Sequence, residues 1–202
     1  MLSIDPSALS ERENYKLLIG SIIPRPIAFV TSLSEEGVLN GAPFSYFNIV
    51  SSNPPLISLA IQRSGGKQKD TARNILHSKE FVIHVVDEEN VQKINETAAT
   101  LPPDESEVEL AQLTPVNSVK VAVPGINEAK IRFECTLEQS LELGGGDTPG
   151  CDLIIGKIVH FHIDPAIYHE GKIDPRALGA VSRLAGINYA KIGDIFSIER
   201  PK

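Results

Sequence analysis

Residues 132–138 read Arg132-Phe133-Glu134-Cys135-Thr136-Leu137-Glu138, a strict alternation with Phe133, Cys135 and Leu137 on one side. Successive side chains of a strand point to opposite faces, so this period of two predicts a half-buried β-strand. A second long candidate spans residues 153–163, apolar on both sides at first and polar on one side at His160 and His162. The loop Gly144-Gly145-Gly146-Asp147-Thr148-Pro149-Gly150 lies between them and predicts a flexible hairpin connection.

The same pattern extends upstream. Pro24 and Pro26 bracket Arg25 and force extended backbone into the β-rich run Ile27-Ala28-Phe29-Val30-Thr31-Ser32. Glu35-Glu36-Gly37 reads as a turn. Residues 44–50 and 56–61 predict strands on either side of the breaker Ser51-Ser52-Asn53-Pro54-Pro55, and residues 81–86 predict another. Helices are expected over 70–77 and, after the capping Ser10, over 11–19 with Tyr15, Leu18 and Ile19 on one side. Many strands with short connections and few helices predict a mainly β fold, a barrel with peripheral helices. No G-x-G-x-x-G follows the first strand and no Walker pattern occurs, so the doubly wound nucleotide folds lack their fingerprints.

The 202 residues fit one domain, 1–202, and 42% hydrophobic with 22% charged residues suits a chain that buries a core. A formal charge of −7 argues against a nucleic-acid partner. No apolar run approaches the ~20 residues of a membrane span, and the N-terminus lacks a secretory layout. With only Cys135 and Cys151 present, a reducing, cytoplasmic location with no membrane association is the expectation. Residues 87–109 hold eight acids against one Lys, and read as one or two exposed helices with a solvated face. From Tyr168 onward the apolar residues follow no period. Residues 168–202 are therefore expected to form a tail that packs over a neighbour, here a second subunit.

Three constellations carry chemistry. In Arg63-Ser64-Gly65-Gly66-Lys67-Gln68-Lys69-Asp70-Thr71-Ala72-Arg73, four bases stand against one acid. The paired glycines permit close approach, and Lys69-Asp70-Thr71 opens the helix, where unpaired amides and the helix dipole favour an anion. Lys69 adds a point charge and Thr71 a hydroxyl donor. A basic surface loop with Asp70 as helix cap is the competing reading. The second constellation, Asn40-Gly41-Ala42-Pro43-Phe44-Ser45-Tyr46-Phe47-Asn48, mixes small, hydroxyl, amide and ring side chains. It suits either the border of a flat heteroaromatic ligand or an ordinary strand bend. The third is Arg25, with Thr31-Ser32 at the end of its strand: an anion clamp beside ring-facing hydroxyls, or a surface ion pair. His160 and His162 have no third ligand at suitable spacing, and no G-x-S-x-G elbow supports a nucleophilic triad.

Taken in order, these segments resemble the flavin reductase-like, FMN-binding split-barrel family, its flavoredoxin branch above all. The likeness runs from Arg25-Pro26-Ile27-Ala28-Phe29-Val30-Thr31-Ser32 through Gly37-x-x-Asn40-x-Ala42-Pro43-Phe44-Ser45-x-Phe47 to Pro54-Pro55 and Lys69-Asp70-Thr71-x-x-Asn74. Glu134-Cys135, Gly156-x-Ile158-Val159 and Arg183-Leu184-x-Gly186-x-x-Tyr189 extend it over residues 15–200. The resemblance implies a Greek-key split barrel that forms a homodimer with one FMN per subunit. It implies that Lys69 and Thr71 hold the phosphate, with Asp70 in the same turn and Arg63 or Arg25 assisting. Thr31, Ser32 and the backbone of Ala42, Pro43, Phe44 and Ser45 would border the ring, with Asn40 and Asn48 also in the pocket, and the tail from Arg183 to Tyr189 would cover the flavin across the subunit interface. The implied activity is NAD(P)H-dependent flavin reduction, with NADH or NADPH as co-substrate and a monooxygenase or electron-acceptor protein as partner. An FMN-containing electron carrier without its own nicotinamide activity is the alternative.

Overall fold

The computed structural model describes residues 1–201. Its helix α1, Glu11–Ser21, starts at a reciprocal cap in which Ser10 and Glu13 satisfy each other's backbone N–H. Only Ile19 of α1 is buried; Tyr15 and Leu18, expected on its covered side, are half exposed. Then follow β1 (Arg25–Pro26), β2 (Ala28–Leu33) and β3 (Leu39–Phe44). The predicted turn joins β2 to β3, with Gly37 at φ +83°, a left-handed conformation that favours glycine. Next come β4 (Phe47–Ser52), β5 (Pro55–Gln62), α2 (Asp70–Ser78) and β6 (Glu80–Val85). The predicted breaker at 51–55 is the tight end of the β4–β5 hairpin.

The acidic stretch contributes the short helices α3 (Val91–Glu96) and α4 (Glu107–Leu110). After the small pair β7 (Pro115–Val116) and β8 (Gly125–Ile126) come the two long strands, β9 (Ile131–Leu143) and β10 (Cys151–Ile163). They pair as the predicted hairpin, with register irregularities after Ile155 and Ile158. The tail holds β11 (Tyr168–His169), β12 (Lys172–Ile173), α5 (Pro175–Leu178), β13 (Val181–Arg183) and β14 (Tyr189–Lys191).

Seven strands form one antiparallel sheet in the order β3-β2-β6-β9-β10-β5-β4. Alternation decides what each face meets. In β5, Ile57, Leu59 and Ile61 point inward and join Phe81 and Ile83 of β6, Cys135 of β9, Ile154 and Ile158 of β10, and Ile75 of α2. The sheet curls so that β3 also approaches β5, closing this core. On the outer face of β2 and β6, a second core gathers Phe29, Val86, Ile94 and Val108 beneath α3 and α4.

Three buried acids depart from the sequence reading. Glu134, on the polar side of the β9 alternation, is fully buried, because the 118–121 segment folds over it. Its carboxylate accepts the N–H groups of Val119, Lys120 and Val121 and sits 2.5 Å from His162 Nε2. Burial alone would raise its pKa, but His162 and the backbone donors outweigh that and hold it at about 2. Asp87 and Glu107, expected on a solvated face, are also buried. Asp87 caps the turn into α3, accepting from Glu89 and Asn90 N–H. Both cysteines are free thiols. Among the described residues no helix is long and apolar enough to cross a membrane.

Candidate active site

Strand β1 is short because Pro24 and Pro26 flank Arg25, yet it anchors the tail. It pairs with β13, which pairs with β14, giving a three-stranded sheet beside the main one. A cleft of about 440 Å³ opens where this sheet meets the β3–β4 corner, the start of α2 and the end of α1. That volume lies in the range of small-molecule sites. Arg25, Pro43, Phe44, Ser45, Lys69 and Tyr189, all anticipated from the sequence, line it. Arg183, from the tail expected over the flavin, lines it too, as do Tyr15, Tyr46, Gln62 and Asn95, and among the described residues no Asp or Glu does. Three cations and several rings therefore face one cavity, opposed by no carboxylate among the described residues.

The fate of the basic segment explains why Lys69 stands out. Arg63 is held by Asp152 and Glu142, through Nε at 2.9 Å and Nη2 at 2.6 and 2.5 Å. Its charge is thus compensated within the protein, and Arg63 is not among the residues lining the cleft. Burial would raise the Asp152 pKa, but bonds from Arg63 and Gln68 keep it below the usual carboxylate range. Arg73 pairs with Asp70. Asp70 is the first helical residue, not the cap; Lys69 occupies the cap position, and no side chain bonds the first-turn amides of α2. The Lys69 ammonium lies 5.9 Å from the Phe44 ring centre and has no ion-pair partner among the described residues.

Several residues expected at the ring or phosphate are not among those lining the cleft. Thr71 is 2% exposed and its hydroxyl donates to Asn40 Oδ1 at 2.9 Å, away from the cleft. Asn40 in turn donates through Nδ2 to Glu107 Oε2 at 2.9 Å, and Asn74 Nδ2 donates to Ser32 Oγ at 3.2 Å. Ser32, Asn40 and Thr71 thus belong to a buried network that fastens α2 and α4 to the β2–β3 hairpin. Burial first, with Asp70 nearby, raises the Glu107 pKa despite these donors. Thr31 is fully buried and donates to Pro124 O at 2.7 Å. Ala42 packs against the inner core. Asn48 is exposed on β4, its Oδ1 accepting the Ile49 N–H. The hydroxyls and amides were legible as polar groups, but their direction depends on which buried partner lies opposite.

Arg25 is neither surface-paired nor free. Nη1 donates to Ile19 O and Ile22 O at 2.8 and 2.6 Å, and Nη2 to Leu184 O at 2.9 Å. It ties the end of α1 to the tail, and its Nε is buried without a partner. Tyr189 donates to Asn95 Oδ1 at 2.8 Å and carries the Arg183 guanidinium over its ring at 4.5 Å. Gln62 and Asn95 carried no sequence signal, since one ends a strand and the other sits within the acidic stretch.

The arrangement suits an anionic ligand with a flat ring: a cationic helix start, a corner of exposed backbone at Pro43–Ser45, and aromatic walls. A family profile described as flavin reductase like domain matches residues 19–176. The structure of nitrilotriacetate monooxygenase component B from Bacillus cereus is 58% identical, with a TM-score of 0.97 over 98% of both chains. That of Pseudomonas fluorescens 2-nitrobenzoate 2-nitroreductase NbaA is 30% identical, with a TM-score of 0.89 over 99% of this chain and 96% of its own. Flavoredoxin of Desulfovibrio vulgaris (Miyazaki F), 20% identical, shares the fold with a TM-score of 0.76 over 88% of this chain and 91% of its own.

Proposed function

The chain belongs to the flavin reductase like domain family, with its split-barrel fold, and from that premise we propose that the cleft binds FMN and that the protein is an NAD(P)H-dependent flavin reductase. Family and neighbours support an oxidoreductase that works with a flavin. The single observation that carries the finer reading is Lys69: among the described residues it is a cation without an ion-pair partner, at an uncapped helix start, on a cleft lined by no acid.

The donor set fits the cofactor. Lys69 and the first-turn amides of α2 hold the phosphate. Pro43, Phe44 and Ser45 border the ring with backbone groups and apolar surface, and Tyr189 closes the opposite wall. The chemistry supplied by bound FMN is acceptance of a hydride from a reduced nicotinamide. No side chain needs to act as acid or base at the reacting atom. The residues bind, orient and exclude water, which is what direct hydride transfer requires of a protein.

Exposed apolar side chains support a homodimer. Leu17, Leu18 and Ile22 of the α1 region, Ile49 and Val50 of β4, and Ile187, Phe196 and Ile198 of the tail are all exposed. Exposed apolar residues on these elements favour a second copy as the surface that covers them. The likeness to a monooxygenase component supports an oxygenase as the acceptor of reduced flavin. Mixing the protein with FMN and NADH or NADPH should oxidise the nicotinamide. Reduction of bound FMN by a protein donor alone would replace the reductase by an electron carrier.

A further inference from the structure

Arg25, Arg183 and Tyr189 form a row across the small sheet: Arg25 is registered opposite Arg183, and Arg183 opposite Tyr189. Directly opposed residues of antiparallel strands share a face, with Cβ atoms ~4.5–5.5 Å apart, and like charges so placed destabilise the pair. Here two guanidinium groups are opposed on a cleft that no carboxylate lines among the described residues. Neither forms an ion pair among the described residues. Arg25 is 6% exposed, with only neutral carbonyls as partners and an orphaned Nε. Arg183 makes one hydrogen bond among the described residues, from Nη2 to Gly186 O at 2.6 Å. Most of its donors remain available.

We propose that the Arg25–Arg183 pair is a second anion subsite, separate from the Lys69 turn, and that it takes the diphosphate of a dinucleotide electron donor. The identity of that ligand rests on the flavin reductase reading above. A flavin mononucleotide carries one phosphate, which the reading above gives to the start of α2 with Lys69. The surplus positive charge sits on different elements, β1 and β13, and calls for a second anionic group. The forked guanidinium of Arg183 matches phosphate oxygens two at a time. Tyr189 beneath it, fixed by Asn95, restrains the fork through a cation–π contact. Arg25 adds charge from behind and holds the strand that presents Arg183.

ADP-ribose tests the subsite, because it carries the diphosphate without the nicotinamide. Calorimetric titration of the purified protein should show binding, weakened at least about tenfold by Arg183→Gln and less by Arg183→Lys. In steady state with FMN, Arg183→Gln should lower the ratio of kcat/KM for NADH to that for 1-benzyl-1,4-dihydronicotinamide, a donor lacking phosphate, by about tenfold. No ADP-ribose binding to the wild type, or equal binding to the variant, overturns the proposal. So does a loss of FMN affinity relative to riboflavin in Arg183→Gln as large as the loss for ADP-ribose, since the pair would then hold the flavin phosphate. A wild type that binds ADP-ribose through Arg183 yet oxidises neither donor supports the subsite and removes the reductase activity instead.

Discussion

Replacing Lys69 with Ala separates the phosphate grip from everything else the cleft does. The ammonium has no carboxylate partner among the described residues, so its removal leaves no buried charge orphaned and should not unfold the helix. What is lost is one charge-assisted hydrogen bond to phosphate, ~1.5–3 kcal/mol. At about 1.4 kcal/mol per tenfold, FMN binding should weaken by roughly 12- to 140-fold. Lys69 is exposed, so solvent and salt screening favour the lower end. Riboflavin is the control, having the same ring and no phosphate. Fluorescence titrations of both flavins at low ionic strength should show the FMN-to-riboflavin affinity ratio collapsing in Lys69→Ala, and the wild-type preference for FMN shrinking as salt is added. An unchanged ratio would remove Lys69 from the site and refute the reasoning that led from an unpaired cation to a phosphate.

Two further outcomes test the buried groups. His84 is fully buried, its Nε2 accepting the Ile126 N–H at 2.9 Å and its Nδ1 placed to donate to Phe29 O at 3.0 Å. Protonation would break the first bond, and burial, which outweighs the Phe29 contact, keeps the pKa down at about 3. The unfolded chain takes up that proton near pH 6.5, so stability contributed by neutral His84 is lost as the pH falls from about 6.5 toward 3. Between pH 7 and 5 this should cost about 2 kcal/mol in urea unfolding, a slope that His84→Gln removes; matching slopes in variant and wild type would contradict it. Glu107→Ala leaves Asn40 Nδ2 and the Gly41 N–H without their buried acceptor, and should destabilise by ~2 kcal/mol or more. A cost below ~0.5 kcal/mol would restore the solvated-face reading of the acidic stretch.

The long strands were legible because alternation is a local property: Phe133, Cys135 and Leu137 declare a face whatever lies opposite. Strand β3 was not, since Asn40, Gly41 and Pro43 have poor strand propensity and extend only because β2 pairs with them along their length. The acidic stretch misled for a related reason. Charge composition predicts solvation, but Glu107 is drawn inside by the Asn40 amide and the Gly41 N–H, partners far from it in sequence. At the site, Lys69 was visible from its place at a helix start, and Pro43 to Ser45 from their corner chemistry. The hydroxyls of Thr31, Ser32 and Thr71 looked equally suited to a ligand, yet each faces a buried partner. The opposition of Arg25 and Arg183 was invisible, because the strand register that joins them spans most of the chain.

The central claim is that this cleft holds FMN. Incubating the purified protein with FMN, desalting it and recording its absorbance tests that most directly. The account predicts a retained flavin band near ~450 nm that bleaches on adding NADH or NADPH. A colourless protein that passes through the column without flavin would contradict it.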